Sequence, residues 1–314
     1  MKKIRDISRR FLSCIGLLTA LFLSIAVQAL SQDLKSEKDL QKQAENLFND
    51  QDYIDAFPLF SQLLSLYPDN INYNYKFSVC MLFADKDKEK AIPYLEKVTS
   101  DLNADKKSYF YLGMAYHLNY EFDKAIKYYD KYKKYAVKKD ADALQVDRRL
   151  EMCKNGLKLL RNKTDLSVLN KTEIKESEYF RAYDMDLLGG KILVKPDDFK
   201  SEADKEKNES SLVYLGKNAI VIFYSSLGKK GTNKDIYKVT KKSDGSWGSP
   251  EILPEIINSD YDEDFPVMHP NSNVLYFCSK GHNSMGGYDI FKSTYDSIND
   301  TWTKPVNLDF AINS

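Results

Sequence analysis

The sequence predicts an α+β, multidomain chain in which a helical repeat is followed by a sheet repeat that the C-terminus interrupts. Three observations carry that expectation. From Ser36 to about Arg161 the apolar spacing is helical, and Ala56, Ala91 and Ala125 recur at 35 and 34 residues. After about Lys163 the alternation changes to period two. Within that stretch Asp235-Ile236-Tyr237, Trp247, Pro250 and Ile257-Asn258-Ser259 return as Asp289-Ile290-Phe291, Trp302, Pro305 and Ile312-Asn313-Ser314. The offset is 54 residues for the first triplet and 55 for the rest. A period of this size is the signature of β-propeller blades, one four-stranded sheet per unit. The expected layout is a signal peptide over 1–31, a helical domain over 32–162 and a partial propeller over 163–314.

The first segment reads as targeting rather than fold. Lys2, Lys3, Arg5, Arg9 and Arg10 precede an uncharged apolar run from Ile15 to Val27, and small residues at Ala29 and Ser31 place cleavage before Gln32. Cys14 lies ahead of the apolar run, where a lipoprotein cysteine would follow it, so an exported soluble chain is expected. Cys80, Cys153 and Cys278 remain after cleavage, an odd and scattered set that reads as buried free thiols.

The helical half repeats in detail. Four residues after each repeat alanine stands a large apolar residue, Phe60, Leu95 or Tyr129. The third copy adds Leu112-Gly113 and Tyr116 upstream, and the first has Ala44 and Leu47 in the matching places. The pattern resembles the tetratricopeptide repeat, in which small residues let antiparallel helices approach and large ones fill the groove. The second copy departs from it, with Ser78 for the glycine and a longer turn at 85–88. Asp142 to Leu160 reads as a capping helix. The resemblance implies a superhelix whose concave side holds a peptide or partner helix, with Asn74 and Tyr109 expected to face it.

In the sheet half, Leu212 to Ser226 and Phe265 to Ser279 each read as strand, turn, strand. Each is followed by a Gly-bearing loop, the Asp-Ile-aromatic strand, a turn before Trp and a Pro-led strand. A degraded earlier copy is expected from Leu166, since Ile174 to Tyr179 echoes Ile256 to Tyr261. The charged stretch Lys200 to Ser210 reads as an exposed insertion. Gly286 to Phe291, Trp302 to Leu308 and Ile312 to Ser314 look like the WD40-like PD40 propeller repeat. The whole chain is similar to the N-terminal part of periplasmic OmpA-family proteins of Bacteroidota. That resemblance implies a secretion or gliding apparatus of type IX kind and a tether between outer membrane and cell wall. It also implies that peptidoglycan is bound only through a further domain absent from these 314 residues, and that the propeller is truncated here.

Chemistry is sparse. His117, His269 and His282 are the only histidines, and no Gly-x-Ser-x-Gly elbow occurs, so no catalytic residue, cofactor or metal is expected. The cluster Asp260, Asp262, Glu263, Asp264 could ligate calcium, but it lacks the glycine of a calcium loop and reads as backbone capping between blades. Asp235 and Asp289 read as inter-blade anchors, Trp247 and Trp302 as packing anchors, and Gly286-Gly287 as a loop in which glycine allows positive φ. Tyr128 to Tyr135 amid lysines could stack on RNA, yet the repeat accounts for Tyr129 and Tyr132 as core. Lys+Arg and Asp+Glu balance at 46 each, so nucleic acid is not an expected partner. The expected function is a non-enzymatic periplasmic interaction scaffold that binds envelope proteins. The alternative is a ligand-sensing or enzyme-accessory propeller that binds a glycan or peptide.

Overall fold

The computed structural model describes residues 37–84, 87–169, 171, 173–175, 189–217, 219–228 and 231–314. The expected signal segment, half of the 85–88 turn and residues 176–179 of the degraded copy lie outside them. The chain forms two units, Met1–Val137 and Lys138–Ser314.

The described residues of the first unit form helices: α1 (37–49), α2 (Tyr53–Leu66), α3 (Ile71–Ala84), α4 (Ile92–Ser100), α5 (Lys107–Leu118) and α6 (Phe122–Tyr135). Short connections make consecutive helices antiparallel neighbours. Aromatic side chains join most of them to the next. Phe48 meets Phe60 at 5.9 Å, Phe57 stacks on Phe77 at 5.2 Å, Phe77 meets Tyr94 at 5.1 Å and Phe110 meets Tyr129 at 5.6 Å. The repeat is visible in the backbone too. Gln51 and Tyr120 both take positive φ, 65° and 61°, in the turns five residues ahead of Ala56 and Ala125. Ala56, Ala91 and Ala125 are fully buried, because at each a neighbouring helix passes close to the backbone. Here the structure has the paired helical hairpins that the tetratricopeptide resemblance implies.

The second unit opens with α7 (Lys138–Ala143) and α8 (Val146–Arg161). The sequence reading places the boundary at 162/163 and assigns α8 to the solenoid as its cap, whereas the structure draws the division at 137/138. The physical reason is polar. Arg148 Nη2 donates to the Lys280 carbonyl (2.6 Å) and to Ser284 Oγ (2.9 Å), and Asn155 Nδ2 donates to the Ser284 carbonyl (3.1 Å). The Arg148 guanidinium also lies 4.5 Å from the Tyr261 ring centroid.

Strands follow: β1 (Lys191–Val194), β2 (Leu212–Leu215), β3 (Val221–Leu227), β4 (Lys234–Thr240), β5 (Glu251–Ile252), β6 (Glu263–Met268), β7 (Val274–Ser279), β8 (Asp289–Asp296), β9 (Thr301–Trp302) and β10 (Val306–Asn307). Short helices α9 (Glu202–Glu206) and α10 (Phe310–Asn313) complete the unit. β6, β7, β8 and β10 form an antiparallel meander with β9 added to β8, and β3, β4 and β5 form a second sheet. The expected hairpin over Leu212 to Ser226 does yield two strands, but β2 pairs with β1 and not with β3. Apolar residues from the two larger sheets share one core: Phe223, Ile236, Leu253 and Ile257 against Leu275, Phe277 and Phe291. The opposite face of the smaller sheet packs Ile222, Tyr224 and Val239 on Phe199 and Val213.

The charged stretch 200–210 is not simply exposed. Ser201 caps α9 with a reciprocal box to Asp204, and Asp204 is fully buried. Its carboxylate meets Lys195 Nζ at 2.7 Å, and the pair has no exposed side-chain surface. A buried carboxylate needs such partners to stay charged, and composition alone cannot show them.

Candidate functional site

The first-unit residues singled out by the repeat lie in helix packing. Leu112 is fully buried and Tyr116 nearly so, its hydroxyl donating to Glu96 at 2.5 Å. A Cβ built on Gly113 would stand 2.8 Å from the Tyr129 ring, so the glycine sets how closely α5 and α6 approach. Of the two residues expected to face a partner, Asn74 lines an open cleft and Tyr109 does not. Asn74 is buried, and its amide donates to the Pro68 and Asn70 carbonyls at 2.9 and 2.8 Å, closing the turn between α2 and α3. Tyr109 is buried too, stacked on Tyr135 at 5.8 Å with Lys131 Nζ 4.1 Å from its centroid. The misplacement of Tyr109 has a simple cause. The helices α3 and α5 are enclosed on most sides, and in α5 only Lys107 and Leu118 are exposed.

The open cleft that Asn74 lines, of about 510 Å³, spans α2, α3 and α4. Leu64, Phe77 and Tyr94 give it an apolar floor, and Ser61, Ser65 and Lys97 a polar rim. Lys97 Nζ is held at the rim by Asp69 (2.8 Å) and the Pro68 carbonyl (2.9 Å), and it keeps the Asp69 carboxyl below its usual range. Of the cleft residues, the sequence reading singles out Asn74, and Pro68 as the terminator of the first repeat.

In the second unit the repeated motifs acquire roles. Asn258 of the first Ile-Asn-Ser accepts from Ile236 N (2.8 Å) and donates to the Ile236 and Leu253 carbonyls (3.1 and 2.9 Å). Asn313 does the same to Ile290, accepting at 2.7 Å and donating at 3.2 Å. Each asparagine thus pins the strand that carries its own copy's Asp-Ile-aromatic triplet. Asp289 accepts from Met285 N (3.0 Å) and from Asn307 Nδ2 (2.8 Å), and Asp235 meets Asn233 Nδ2 at 3.4 Å. These bonds stay within one copy. Burial raises the pKa of both carboxyls, with Asp262 adding to the effect on Asp235.

The bonds between copies come from the acidic cluster. Asp262 accepts from Lys234 N (3.0 Å), Asp264 pairs with Lys234 Nζ (2.8 Å), and the Ser225 hydroxyl donates to Asp264. Glu263 is fully buried and accepts from Ser259 N (2.8 Å), Ser259 Oγ (2.6 Å) and Ser279 Oγ (2.6 Å). Burial nevertheless pushes its carboxyl up to about 7. Among the described residues no group of three or more His, Cys, Asp or Glu is arranged to hold a metal ion.

His117 is buried beside the Tyr129 hydroxyl (3.5 Å), His269 accepts from Asn271 N in the β6–β7 turn, and His282 contacts the Ile257 carbonyl (2.9 Å). They stand in separate places. Cys80 and Cys153 are buried and Cys278 half-buried, all three as free thiols whose pKa burial raises. Gly286 and Gly287 take no positive φ; His282, at 46°, supplies the left-handed residue of that loop.

Trp247 packs edge-on to Phe199 (5.9 Å, 85°) and Trp302 edge-on to Phe223 (6.1 Å, 89°). Trp302 also lines a second cleft, of about 930 Å³, between the two larger sheets. Tyr295 and Met268 line it with Trp302, and Lys238, Glu251 and the β6–β7 turn give it polar edges.

Neither a family model nor a characterised protein matches the sequence. Solved structures do resemble it. The chain is similar to the Sgt2 TPR domain from Aspergillus fumigatus at 20% identity, covering 46% of this chain and 93% of that one, with a TM-score of 0.34. It is also similar to SycD, the type III secretion translocator chaperone of Yersinia enterocolitica, at 18% identity over 38% of this chain and 85% of that one, with a TM-score of 0.34. A third is MamA from Desulfovibrio magneticus RS-1, at 22% identity over 41% and 78%, with a TM-score of 0.31.

Proposed function

We propose that the protein is a non-enzymatic interaction scaffold of the cell envelope, exported by its N-terminal segment. The observation that carries this reading is the cleft on α2, α3 and α4. Its apolar floor of Leu64, Phe77 and Tyr94 suits the anchor side chains of a partner segment, while the serine and lysine rim offers hydrogen bonds at the edge. Repeated helical hairpins give such a cleft rigid walls. In the second unit, the shared asparagine clamp and the meander of β6, β7, β8 and β10 support a reading as adjoining blades of a β-propeller. The unit would then present a stiff second face. Periplasmic residence and a role in secretion or in tethering the outer membrane follow from the sequence resemblance and belong to the same proposal.

The test is pull-down from envelope extracts with the full chain and with Ser61→Arg. Ser61 is exposed at the rim, so the arginine fills the cleft without touching the core. Envelope proteins recovered by the native chain and lost with S61R support the reading. Equal recovery by both removes the cleft from it.

A further inference from the structure

We propose that the cleft between the two larger sheets of the second unit binds a neutral oligosaccharide. The starting point is a departure from the repeat. Trp247 and Trp302 occupy equivalent positions, but their surroundings differ. Trp247, half-buried, has Lys241 at 5.9 Å from its ring and packs against the cluster of Phe199 and Tyr224. At the place of Lys241 the second copy has Tyr295, whose ring centroid lies 5.1 Å from that of Trp302. Both of these rings line the open cleft of about 930 Å³ and are half-buried. Packing of the repeat needs the tryptophan; it does not need tyrosine at 295, because lysine serves in the first copy.

The remaining chemistry selects the ligand class. Among the described residues the Trp302 indole N–H makes no hydrogen bond with the protein, which leaves a donor beside the cleft. Asn271 and Asn273 are exposed on the β6–β7 turn that rims it. Three of its four charged side chains are already engaged: Lys238 with Glu251 at 3.2 Å, and Asp300 with the Tyr295 hydroxyl at 2.5 Å. Only Lys217, on an exposed turn, is left over. A charged ligand therefore meets little to pair with. Pyranose rings match the site, since their C–H faces lie on aromatic rings while their hydroxyls bond to amides and to the indole. The volume suits several linked rings.

The full chain is titrated with maltohexaose, cellohexaose and chitohexaose, followed by tryptophan fluorescence and by calorimetry. Saturable binding of at least one, insensitive to salt, with Kd on the order of 10 μM to 1 mM, supports the proposal. Tyr295→Lys restores the residue of the first copy, so folding is preserved; it is expected to weaken binding at least about tenfold. Asn273→Ala tests the rim in the same assay. No saturable response to any of the three sugars, or undiminished affinity in Y295K, overturns the proposal. So does saturable binding of a proline-rich peptide that Y295K abolishes, because the cleft then serves a different ligand class. This site is independent of the helical cleft, and S61R is expected to leave sugar binding unchanged.

Discussion

Asn258 shows what one side chain contributes when it bonds backbone groups at the end of two strands. It is 8% exposed and makes three hydrogen bonds across the end of β4 and β5. Asn258→Ala removes the partners of the Ile236 N–H and the Leu253 carbonyl, while the Ile236 carbonyl keeps its bond from Leu253 N at 2.9 Å. A loss of about 2–4 kcal/mol is expected in chemical denaturation of the full chain. The equivalent change at Asn313, which is only half-buried, should cost less, and equal costs would contradict this account. Glu263 gives a pH dependence of definite sign. Burial raises its carboxyl from 4.5 to about 7, against the lowering effect of the Ser259 and Ser279 hydrogen bonds. Between those values the unfolded chain has lost the proton and the folded chain retains it. Stability from this group is therefore greatest below pH 4.5 and declines as pH rises toward 7. The decline is at most about 3 kcal/mol. Glu263→Gln should flatten the stability profile across that window, as urea unfolding at a series of pH values would reveal; an unchanged slope would assign it to another group.

At the level of elements, glycine 113 sets two effects against each other. Alanine within a helix is favoured over glycine by about 1 kcal/mol. Here, however, the added methyl would stand 2.8 Å from the fully buried ring of Tyr129. Overpacking of this kind costs about 1–3 kcal/mol, so steric crowding wins. Gly113→Ala is expected to lower the thermal midpoint of the helical unit, and a rise would mean that α5 and α6 can separate freely. The pair Lys195–Asp204 makes a similar point for α9. Five charged or polar neighbours surround Asp204 in sequence, yet its carboxyl is held at about 2 because bonds from Lys195, Ser226 and two backbone N–H groups outweigh its burial. A five-residue helix that looks like a solvated loop in composition is thereby tied into the sheet.

Across the whole molecule, the placement of α8 decides where independent folding begins. Residues 138–314 retain the Arg148 and Asn155 bonds to the loop after β7, and residues 163–314 lose them. The longer fragment is expected to resist limited proteolysis while the shorter is cleaved several-fold faster. Equal cleavage rates would show that α8 contributes nothing to that unit.

Much was legible in the residue order because periodicity reports local geometry directly. The 34- and 35-residue spacing of Ala56, Ala91 and Ala125 marked the helical hairpins, for small residues are required wherever two backbones approach. The Asp-Ile-aromatic, Trp and Ile-Asn-Ser recurrences marked two equivalent sheets. Long-range contacts were not legible. Nothing in the spacing of Tyr109 distinguishes a side chain that faces a groove, as Asn74 does, from one enclosed by the next helix. Nothing in a run of lysines and glutamates reveals that Asp204 will meet Lys195. The order of residues determined which elements form and that they repeat, since those follow from local sterics and from which faces are apolar. Tertiary structure alone decided which surfaces stay open, because exposure depends on what folds back over a residue from far along the chain.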